Sequence, residues 1–343
     1  MKKRGIGLGC GWYGTGYGNG FPDVSSAFVE IHDDGSATVS TGAVDVGQGS
    51  STVLAQIAAE ELGLEPQDIT VITGDTDTTP DSGTSAATRH TYNTGNAVLK
   101  AVREAKTRLL DYAAHEFSCT SAQGIELKEG GIGVIGDPSR RQPLADMVFQ
   151  ARLHGERFIS AESSTARTTP VDRENGQGAP YWPYAFGAQV AEVEVDTETG
   201  LVQVLRIIAA HDVGRAINPT QVEGQIAGAV AQGVGYALME EVELHEGVIK
   251  NPAFSSYLIP TALDVPNIQT IIVEEEEITG PYGAKGLGEP AMVPTLAAVI
   301  NAVYDAVGVR ITSLPATPEK ILAALAEKER TFREGGMRQS IDS

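Results

Sequence analysis

One carboxylate in this chain stands where a general base could work. Glu289 closes the glycine-rich run GAKGLGEP at residues 283–290, and glycines let a ligand come close to the backbone. Pro290 suits the entrance of a helix, and apolar residues then recur at helical spacing until Gly308. Because the dipole of a helix favours an anion at its start, Glu289 is either a catalytic base or a carboxylate that merely caps the helix.

A second group of polar residues also stands between a strand and a helix. A strand ending at Val46 is followed by GQGSST at residues 47–52, and apolar spacing then predicts a helix that stops at Gly63. Backbone amides at such a helix start can hold phosphate. A serine-capped helix without a ligand explains the same pattern.

Small and hydroxyl-bearing residues precede the next predicted helix. The run TSAATRHT at residues 84–91 would let a bulky group approach, and its hydroxyls and Arg89 offer donors to a heterocycle or a phosphate. Arg89 and His90 fit equally well as surface residues at a helix entrance. Sequence alone leaves both interpretations open.

A glycine-rich helix follows the cap Asn218-Pro219. Glycines inside a helix are unfavourable, so a neighbouring helix or a cofactor is expected against this one. Gln225 and Gln232 are the polar residues on its small, apolar surface. One of them is predicted to face a ligand, and hydrogen bonding between helices is the alternative.

Residues 5–20 are mostly glycine and aromatic residues, which predicts a mobile loop. Residues 9–14 match the pattern G-x-G-x-x-G, but no strand precedes them and no helix follows, so a dinucleotide-binding motif is rejected. Trp12, Tyr13 and Tyr17 can stack on a flat substrate from such a loop, although simple packing explains aromatic residues as well.

Composition narrows the class of protein. The 343 residues include 25 Lys and Arg against 45 Asp and Glu, a net charge of −20 that disfavours nucleic acid and anionic membrane as partners. Cys10 and Cys119 are the two cysteines, too few for a disulfide framework or an iron–sulfur cluster. The basic start has no apolar segment after it, so we expect a cytoplasmic protein.

Alternating and helical patterns occur together along the chain, which predicts an α+β fold of two mixed subdomains. Hairpins are expected at residues 26–43 and 126–135, and the segment 165–183 is the predicted boundary. The predicted parts are therefore residues 1–165, residues 166–330 and a charged tail at 331–343.

The run around Glu289, together with LPATPE at residues 314–319, resembles the closing part of the molybdenum hydroxylases, the xanthine oxidase and aldehyde oxidoreductase family. DVGQG at 45–49, GDTDTTP at 74–80 and GQIAG at 224–228 also follow the family order. The resemblance reaches about residue 325 but covers about half of a molybdenum subunit. The chain thus resembles a molybdopterin-binding half made as a separate subunit, as in the medium subunits of nicotinate dehydrogenases.

The resemblance implies a molybdenum cofactor with a molybdopterin cytosine dinucleotide, whose dithiolene holds the metal without a protein ligand. It places Glu289 beside the metal as general base and Trp12, Tyr13 and Tyr17 near the substrate. The residues implied to bind the cofactor are Gly47, Gln48, Gly49, Ser50, Ser51, Thr52, Ala87, Thr88, Arg89, Thr91, Gln225, Lys285 and Gly288.

The activity implied is hydroxylation of an electron-poor N-heteroaromatic ring, such as nicotinate, with oxygen taken from water. It would require a large molybdopterin subunit, an iron–sulfur subunit with 2Fe–2S clusters and an FAD subunit. The same chemistry on a purine or an aldehyde is one alternative. A noncatalytic subunit that only completes the cofactor shell, with Glu289 as a helix cap, is the alternative of another class.

Overall fold

The computed structural model describes residues 1–18 and 20–341, with side chains described through residue 333. It has mixed helices and sheets, so the α+β fold is confirmed. The helices are α1 (Ser50–Leu62), α2 (Gly95–Glu116), α3 (Leu144–Leu153), α4 (Pro219–Leu238), α5 (Val293–Val307) and α6 (Pro318–Ile341). The strands are β1 (Lys2–Gly14), β2 (Ser25–Ile31), β3 (Ala37–Thr41), β4 (Ile69–Thr73), β5 (Ile125–Lys128), β6 (Gly131–Val134), β7 (Arg141–Pro143), β8 (Phe158–Ser164), β9 (Tyr184–Asp196), β10 (Val202–Asp212), β11 (Leu244–His245), β12 (Val248–Ile249) and β13 (Asn267–Val273).

The first hydrophobic core lies under a sheet of strand order β4-β3-β2-β8. Both predicted hairpins are present, as β2 with β3 and as β5 with β6. Val29 and Val39 face each other across the first hairpin and are 0% exposed. The apolar residues of α1 and α2 complete this core, because each helix carries them at a spacing of three and four residues.

The second core lies between a sheet of order β1-β9-β10-β13 and helices α4 and α5. Strand β9 buries one face in this core, because Ala191, Val193 and Val195 alternate along it and are 0% exposed. Asn218 caps α4 as predicted, and its side chain accepts a hydrogen bond from the Gln221 amide. Helix α5 ends at Gly308, which adopts a left-handed conformation with φ of 68°.

Strand β1 corrects the prediction of a mobile loop at residues 5–20. It pairs with β9 from Lys2 to Gly14, and its alternate glycines face α5. A Cβ atom at Gly7 would stand 2.2 Å from the Ala298 carbonyl oxygen, so only glycine lets the helix lie this close. The first strand therefore belongs to the sheet of the second half, although the sequence assigned it to residues 1–165.

The predicted boundary segment between β8 and β9 has no helix or strand, and the division at residue 165 stays a prediction. The charged tail at 331–343 stays a prediction: α6 extends to Ile341, and residues 342 and 343 lie outside the described part. Residues 289–307 are apolar enough by length and composition to cross a membrane, with a mean hydropathy of 1.3. Ala298, Val299, Ala302 and Val303 of this segment are 0% exposed in the second core, as in the central helix of a globular domain.

Candidate functional site

A cleft of about 480 Å³ opens between the two cores. It is bounded by the loop before α1, the segment from residue 85 to 91, the first turns of α4 and the loop that ends at Glu289. These are four of the segments in which the sequence predicts ligand-binding residues. Residues 46 and 289 both line the cleft, so folding brings together groups that are about 240 residues apart in the sequence.

Glu289 lies at the edge of this cleft with an exposed side chain. The Ala87 amide donates a hydrogen bond to Oε1 at 3.0 Å, and the Thr88 hydroxyl donates to Oε2. The Glu289 amide in turn donates to Thr88 Oγ1 at 3.2 Å. The carboxylate is therefore held by residues of the other half of the chain, and it opens a short 3₁₀ turn, Glu289–Ala291, before α5 begins.

The two residues that hold Glu289 have unusual backbones. Ala87 and Thr88 both adopt left-handed conformations, with φ of 54° and 58°, which is unfavourable for residues with a Cβ atom. Gly286 lies directly against Thr88, because a Cβ atom there would stand 2.2 Å from the Thr88 carbonyl oxygen. This tight, strained contact fixes the direction of the donors toward the carboxylate.

Lys285 is predicted to bind cofactor, but its ammonium group is already paired. Its Nζ atom lies 2.6 Å from Asp212 Oδ2, and both side chains are 8% exposed. Asp212 also accepts a hydrogen bond from the Gly214 amide at 2.9 Å. Lys285 lines the cleft, yet its charge mainly holds the loop before Glu289 against the end of β10.

The loop before α1 is predicted to offer free backbone amides to phosphate, but three of these amides already have a partner. The amides of Gly47, Gly49 and Ser51 donate to the Asp45 carboxylate at 2.9, 3.2 and 3.0 Å, so they are not free to hold phosphate. Burial would raise the pKa of Asp45, but these amides outweigh burial and hold its pKa below the usual range. The sequence shows the donors but not that a neighbouring carboxylate uses them.

Gln48 is likewise engaged by its own loop. Its Nε2 atom donates to the Val44 carbonyl and to Ser50 Oγ, each at 3.0 Å. Gln48 and Ser50 line the cleft, whereas Gly47, Gly49, Ser51 and Thr52 do not. Two of the six residues predicted to bind phosphate, Gln48 and Ser50, therefore line the cleft.

Arg89 lines the cleft but is a buried residue, which corrects the surface interpretation, while its assignment to the cofactor stays a prediction. It is 1% exposed, and its Nε atom lies 2.5 Å from Asp23 Oδ1. Its other donors bind the carbonyls of Val24, Ser82 and Thr84. The guanidinium group is therefore satisfied within the first half of the chain.

The three aromatic residues predicted near the substrate have different surroundings. Tyr13 lies beside Thr88 and Glu289: burial raises the pKa of its hydroxyl, the charge of Glu289 raises it further, and a hydrogen bond with Thr88 opposes this. Trp12 is 69% exposed, and its ring centroid lies 5.3 Å from that of Tyr184. The Tyr17 ring lies 5.5 Å from the Arg89 guanidinium carbon, a packing role.

The remaining predicted residues are placed more simply. Thr91, Gln225 and Gly288 line the cleft, and Ala87 contributes through its amide to Glu289. Gln232, the second glutamine noted on α4, also lines it. All of these assignments to a ligand stay predictions.

Sequence reasoning missed three groups that line the cleft: His90, Arg215 and Gln221. Arg215 is exposed, and within the described residues its guanidinium has no hydrogen bond or ion pair. The Gln221 Oε1 atom is buried and has no partner among the described residues. Burial, aided by the charge of Arg89, lowers the pKa of His90 to about 4, so its ring is neutral at pH 7.

The cleft has the properties that an anionic heterocyclic cofactor requires. Arg215 supplies a free cation for phosphate, and Gln221 and Gln225 supply amides that match the polar edge of a pterin. Gly228 leaves one wall open, because no atom lies within 4 Å of the position that its Cβ would take. The residues present therefore fit a molybdopterin cofactor.

Comparison with known proteins agrees with a molybdopterin-binding domain. The family described as "Molybdopterin cofactor-binding domain" matches residues 1–266. The putative xanthine dehydrogenase molybdenum-binding subunit of Escherichia coli K12 is 35% identical over 331 residues, 93% of this chain and 42% of that protein. The 6-hydroxypseudooxynicotine dehydrogenase complex subunit gamma of Paenarthrobacter nicotinovorans is 34% identical over 329 residues, 94% and 40% of the two chains.

Solved structures of the same fold are also similar to this chain. The crystal structure of quinoline 2-oxidoreductase from Pseudomonas putida 86 superposes with a TM-score of 0.85 at 31% identity, covering 95% of this chain and 42% of that chain. The chain thus spans about two fifths of the length of these relatives. By sequence and by fold, it belongs to the molybdopterin cofactor-binding domains of the xanthine oxidase family.

Proposed function

We propose that this chain is the molybdopterin-binding, base-carrying subunit of a multi-subunit molybdenum hydroxylase. The observation that carries the proposal is Glu289: a carboxylate at the edge of the cleft, with both oxygens oriented by Ala87 and Thr88. A helix cap would bind the amides of its own helix, whereas among the described residues the Glu289 carboxylate accepts its hydrogen bonds from Ala87 and Thr88 and none from its own turn. The carboxylate is instead fixed from across the cleft, which favours a catalytic role.

The residues that would hold the cofactor follow from the free groups in the cleft. Arg215 and the hydroxyl of Ser50 would contact phosphate, and Gln221, Gln225 and Thr91 the pterin. Gly228 and Gly288 would let it approach the backbone. When bound, the molybdenum cofactor supplies the two-electron oxidation of the substrate, and the cytosine dinucleotide form is part of the proposal.

Glu289 would accept the proton released when the substrate is hydroxylated with oxygen from water. A carboxylate oxygen can accept more than one hydrogen bond, so the contacts with Ala87 and Thr88 leave capacity on both oxygens. Those contacts restrict rotation of the carboxylate, and a positioned base is what general base catalysis requires. Tyr13 would contact the substrate ring beside it.

The proposed substrate is an electron-poor N-heteroaromatic ring of the nicotinate type. One relative is named for quinoline, a nitrogen heteroaromatic, and another for 6-hydroxypseudooxynicotine. Xanthine dehydrogenase and aldehyde oxidoreductase are also among the relatives, so a purine or an aldehyde is the alternative. Steady-state kinetics of the assembled enzyme with one substrate of each class distinguishes them.

The proposed partners are a large molybdopterin subunit, a 2Fe–2S subunit and an FAD subunit in a cytoplasmic complex. Two relatives are named as subunits, one a molybdenum-binding subunit and the other the gamma subunit of a dehydrogenase complex, which supports partner subunits. The rival proposal is a noncatalytic assembly subunit. Metal analysis of the complex and of the isolated chain separates them, since a chain that loads molybdenum and turns over alone contradicts the split-subunit proposal.

The proposal is tested with Glu289→Gln in the assembled enzyme. The amide keeps the shape of the side chain but removes the base, so turnover per molybdenum is expected to fall at least ~10²-fold while molybdenum content is kept. Glu319→Gln is the matched control, because Glu319 also lies in the first turn of a helix, α6, and does not line the cleft. Near-parental reduction by substrate in Glu289→Gln contradicts the proposed base.

A further inference from the structure

Behind the turn that carries Glu289 lies a buried polar network that does not line the cleft. It consists of Gln189 on β9, His211 on β10 and Thr295 on α5, and each of them is 0% exposed. Burying three polar side chains is unfavourable unless they bind one another or the backbone. Their hydrogen bonds therefore indicate what the network holds in place.

Gln189 lies at the centre of this network. Its Nε2 atom donates to the carbonyl oxygen of Ala291 at 2.7 Å, and its Oε1 atom accepts from the Thr295 hydroxyl at 2.7 Å. A carbonyl oxygen can only accept, so the nitrogen of the side-chain amide must face Ala291. The amide orientation follows from this contact, and Thr295 secures it from the other side.

His211 completes the orientation of the amide. Its Nε2 atom lies 2.9 Å from Gln189 Nε2, and because the amide nitrogen donates, this ring nitrogen must accept. The ring is therefore neutral, with its proton on Nδ1. Burial agrees with this assignment, because it lowers the pKa of His211 to about 4. A Cβ atom at Gly187 would stand 2.5 Å from Nδ1, so a glycine makes room for the ring.

The carbonyl that Gln189 binds belongs to the catalytic turn itself. Ala291 is the last residue of the turn Glu289–Ala291, which is closed by the Met292 amide donating to the Glu289 carbonyl at 3.1 Å. On the other side of Glu289, Lys285 is paired with Asp212, the residue that follows His211 on β10. The end of β10 thus anchors the chain before the carboxylate directly, through Asp212, and the chain after it indirectly, through the contact of His211 with Gln189.

We propose that Gln189 is a positioning residue for Glu289, and that Thr295 and His211 set the orientation of its amide. The proposal rests on the proposed function, because it takes Glu289 to be the base. Without the bond from Gln189, the Ala291 carbonyl has no partner and the turn is free to shift. A displacement of about 1 Å in a catalytic group can lower a rate by ~10²-fold.

The test compares Thr295→Val, which keeps the shape but loses the hydroxyl, with Gln189→Glu, which keeps the size but cannot donate to Ala291. Hydrogen–deuterium exchange is followed in the peptide covering residues 287–296 of the full chain. In the assembled enzyme, kcat per molybdenum and KM are measured. We expect faster exchange and a kcat at least ~10-fold lower, with KM within about 2-fold of the parent. Thr295→Ser, which restores the hydroxyl, is expected to restore both.

Thr41→Val is the matched control. Thr41 is also 0% exposed, and its hydroxyl donates to the Ser26 carbonyl at 2.9 Å, but it lies in β3 of the first core. This variant is expected to lose stability without changing kcat or the exchange of residues 287–296. If Thr295→Val or Gln189→Glu behaves in the same way, the network is only structural and the inference is wrong.

The two proposals fail in different ways. Substantial turnover in Glu289→Gln would end the base assignment, whatever the network does. An inactive Glu289→Gln together with parental kcat and parental exchange in Thr295→Val would overturn only the positioning role of Gln189.

Discussion

Trp12 and Tyr13 are neighbours in β1, but successive side chains of a strand leave opposite faces of the sheet. Tyr13 therefore lies beside Thr88 and Glu289, while Trp12 packs on Tyr184; neither residue lines the cleft itself. The sequence predicts one role for both residues. Only the pairing of β1 with β9 shows that the two side chains lie on opposite faces of the sheet.

Because the two side chains have different surroundings, we expect different effects from substituting each of them. Tyr13→Ala is expected to raise KM roughly 10-fold in the assembled enzyme, as the loss of one aromatic contact of about 1.4 kcal/mol would do, with molybdenum content kept. Trp12→Ala is expected to leave kcat/KM within about 2-fold of the parent. Steady-state kinetics with metal analysis checks both, and equal losses of molybdenum and activity in Tyr13→Ala would show that the residue is structural.

At the scale of the element, helix α4 has glycines of two kinds. A Cβ atom at Gly233 would stand 2.5 Å from Thr295 Cβ, so this glycine lets α5 approach. At Gly224 and Gly228 nothing lies within 4 Å, so packing within this chain does not require glycine there. Gly228 lines the cleft and Gly224 does not.

Substitution of each open glycine by alanine distinguishes cofactor contact from helix propensity. Gly224→Ala and Gly228→Ala are each expected to stabilise the chain by about 1 kcal/mol, because alanine is the better helix former. Only Gly228→Ala is expected to reduce molybdenum content in the assembled enzyme, since its methyl group points into the cleft. Denaturant unfolding and metal analysis measure the two effects, and unchanged molybdenum content in Gly228→Ala would argue against cofactor contact at α4.

At the scale of the whole molecule, each half buries one neutral histidine. His90 belongs to the segment before α2 and His211 to β10, and burial lowers the pKa of each to about 4. A histidine that is harder to protonate when folded binds more protons when unfolded. The stability it contributes is therefore complete above its ordinary pKa of about 6.5 and is lost as pH falls toward 4.

We expect each histidine to remove about 3 kcal/mol from the free energy of unfolding between pH 7 and pH 4. The negative charge of the chain, −20 at neutral pH, decreases over the same range as carboxylates become protonated, so the parent curve contains both effects. His90→Gln isolates one histidine by difference. Urea unfolding at several pH values is the measurement, and a variant with the same pH dependence as the parent would contradict a buried neutral His90.

Local patterns in the sequence predicted the parts of this protein that depend on neighbouring residues. The hairpin turns, the Asn218 cap and the Gly308 end of α5 follow from residues a few positions apart, because turns and caps are short-range hydrogen-bonding problems. The resemblance carried by the motif around Glu289 predicted the family, and the comparisons confirm it.

Only the tertiary structure decided which groups are free to bind. The amides of Gly47, Gly49 and Ser51 are used by Asp45. The Arg89 donors are used by Asp23 and backbone carbonyls, and the Lys285 charge by Asp212. The glycines of β1 meet α5 about 290 residues further along the chain, at Ala298. A residue type shows what a side chain can donate or accept, but whether that capacity is spent inside the protein depends on long-range packing, which local spacing does not encode.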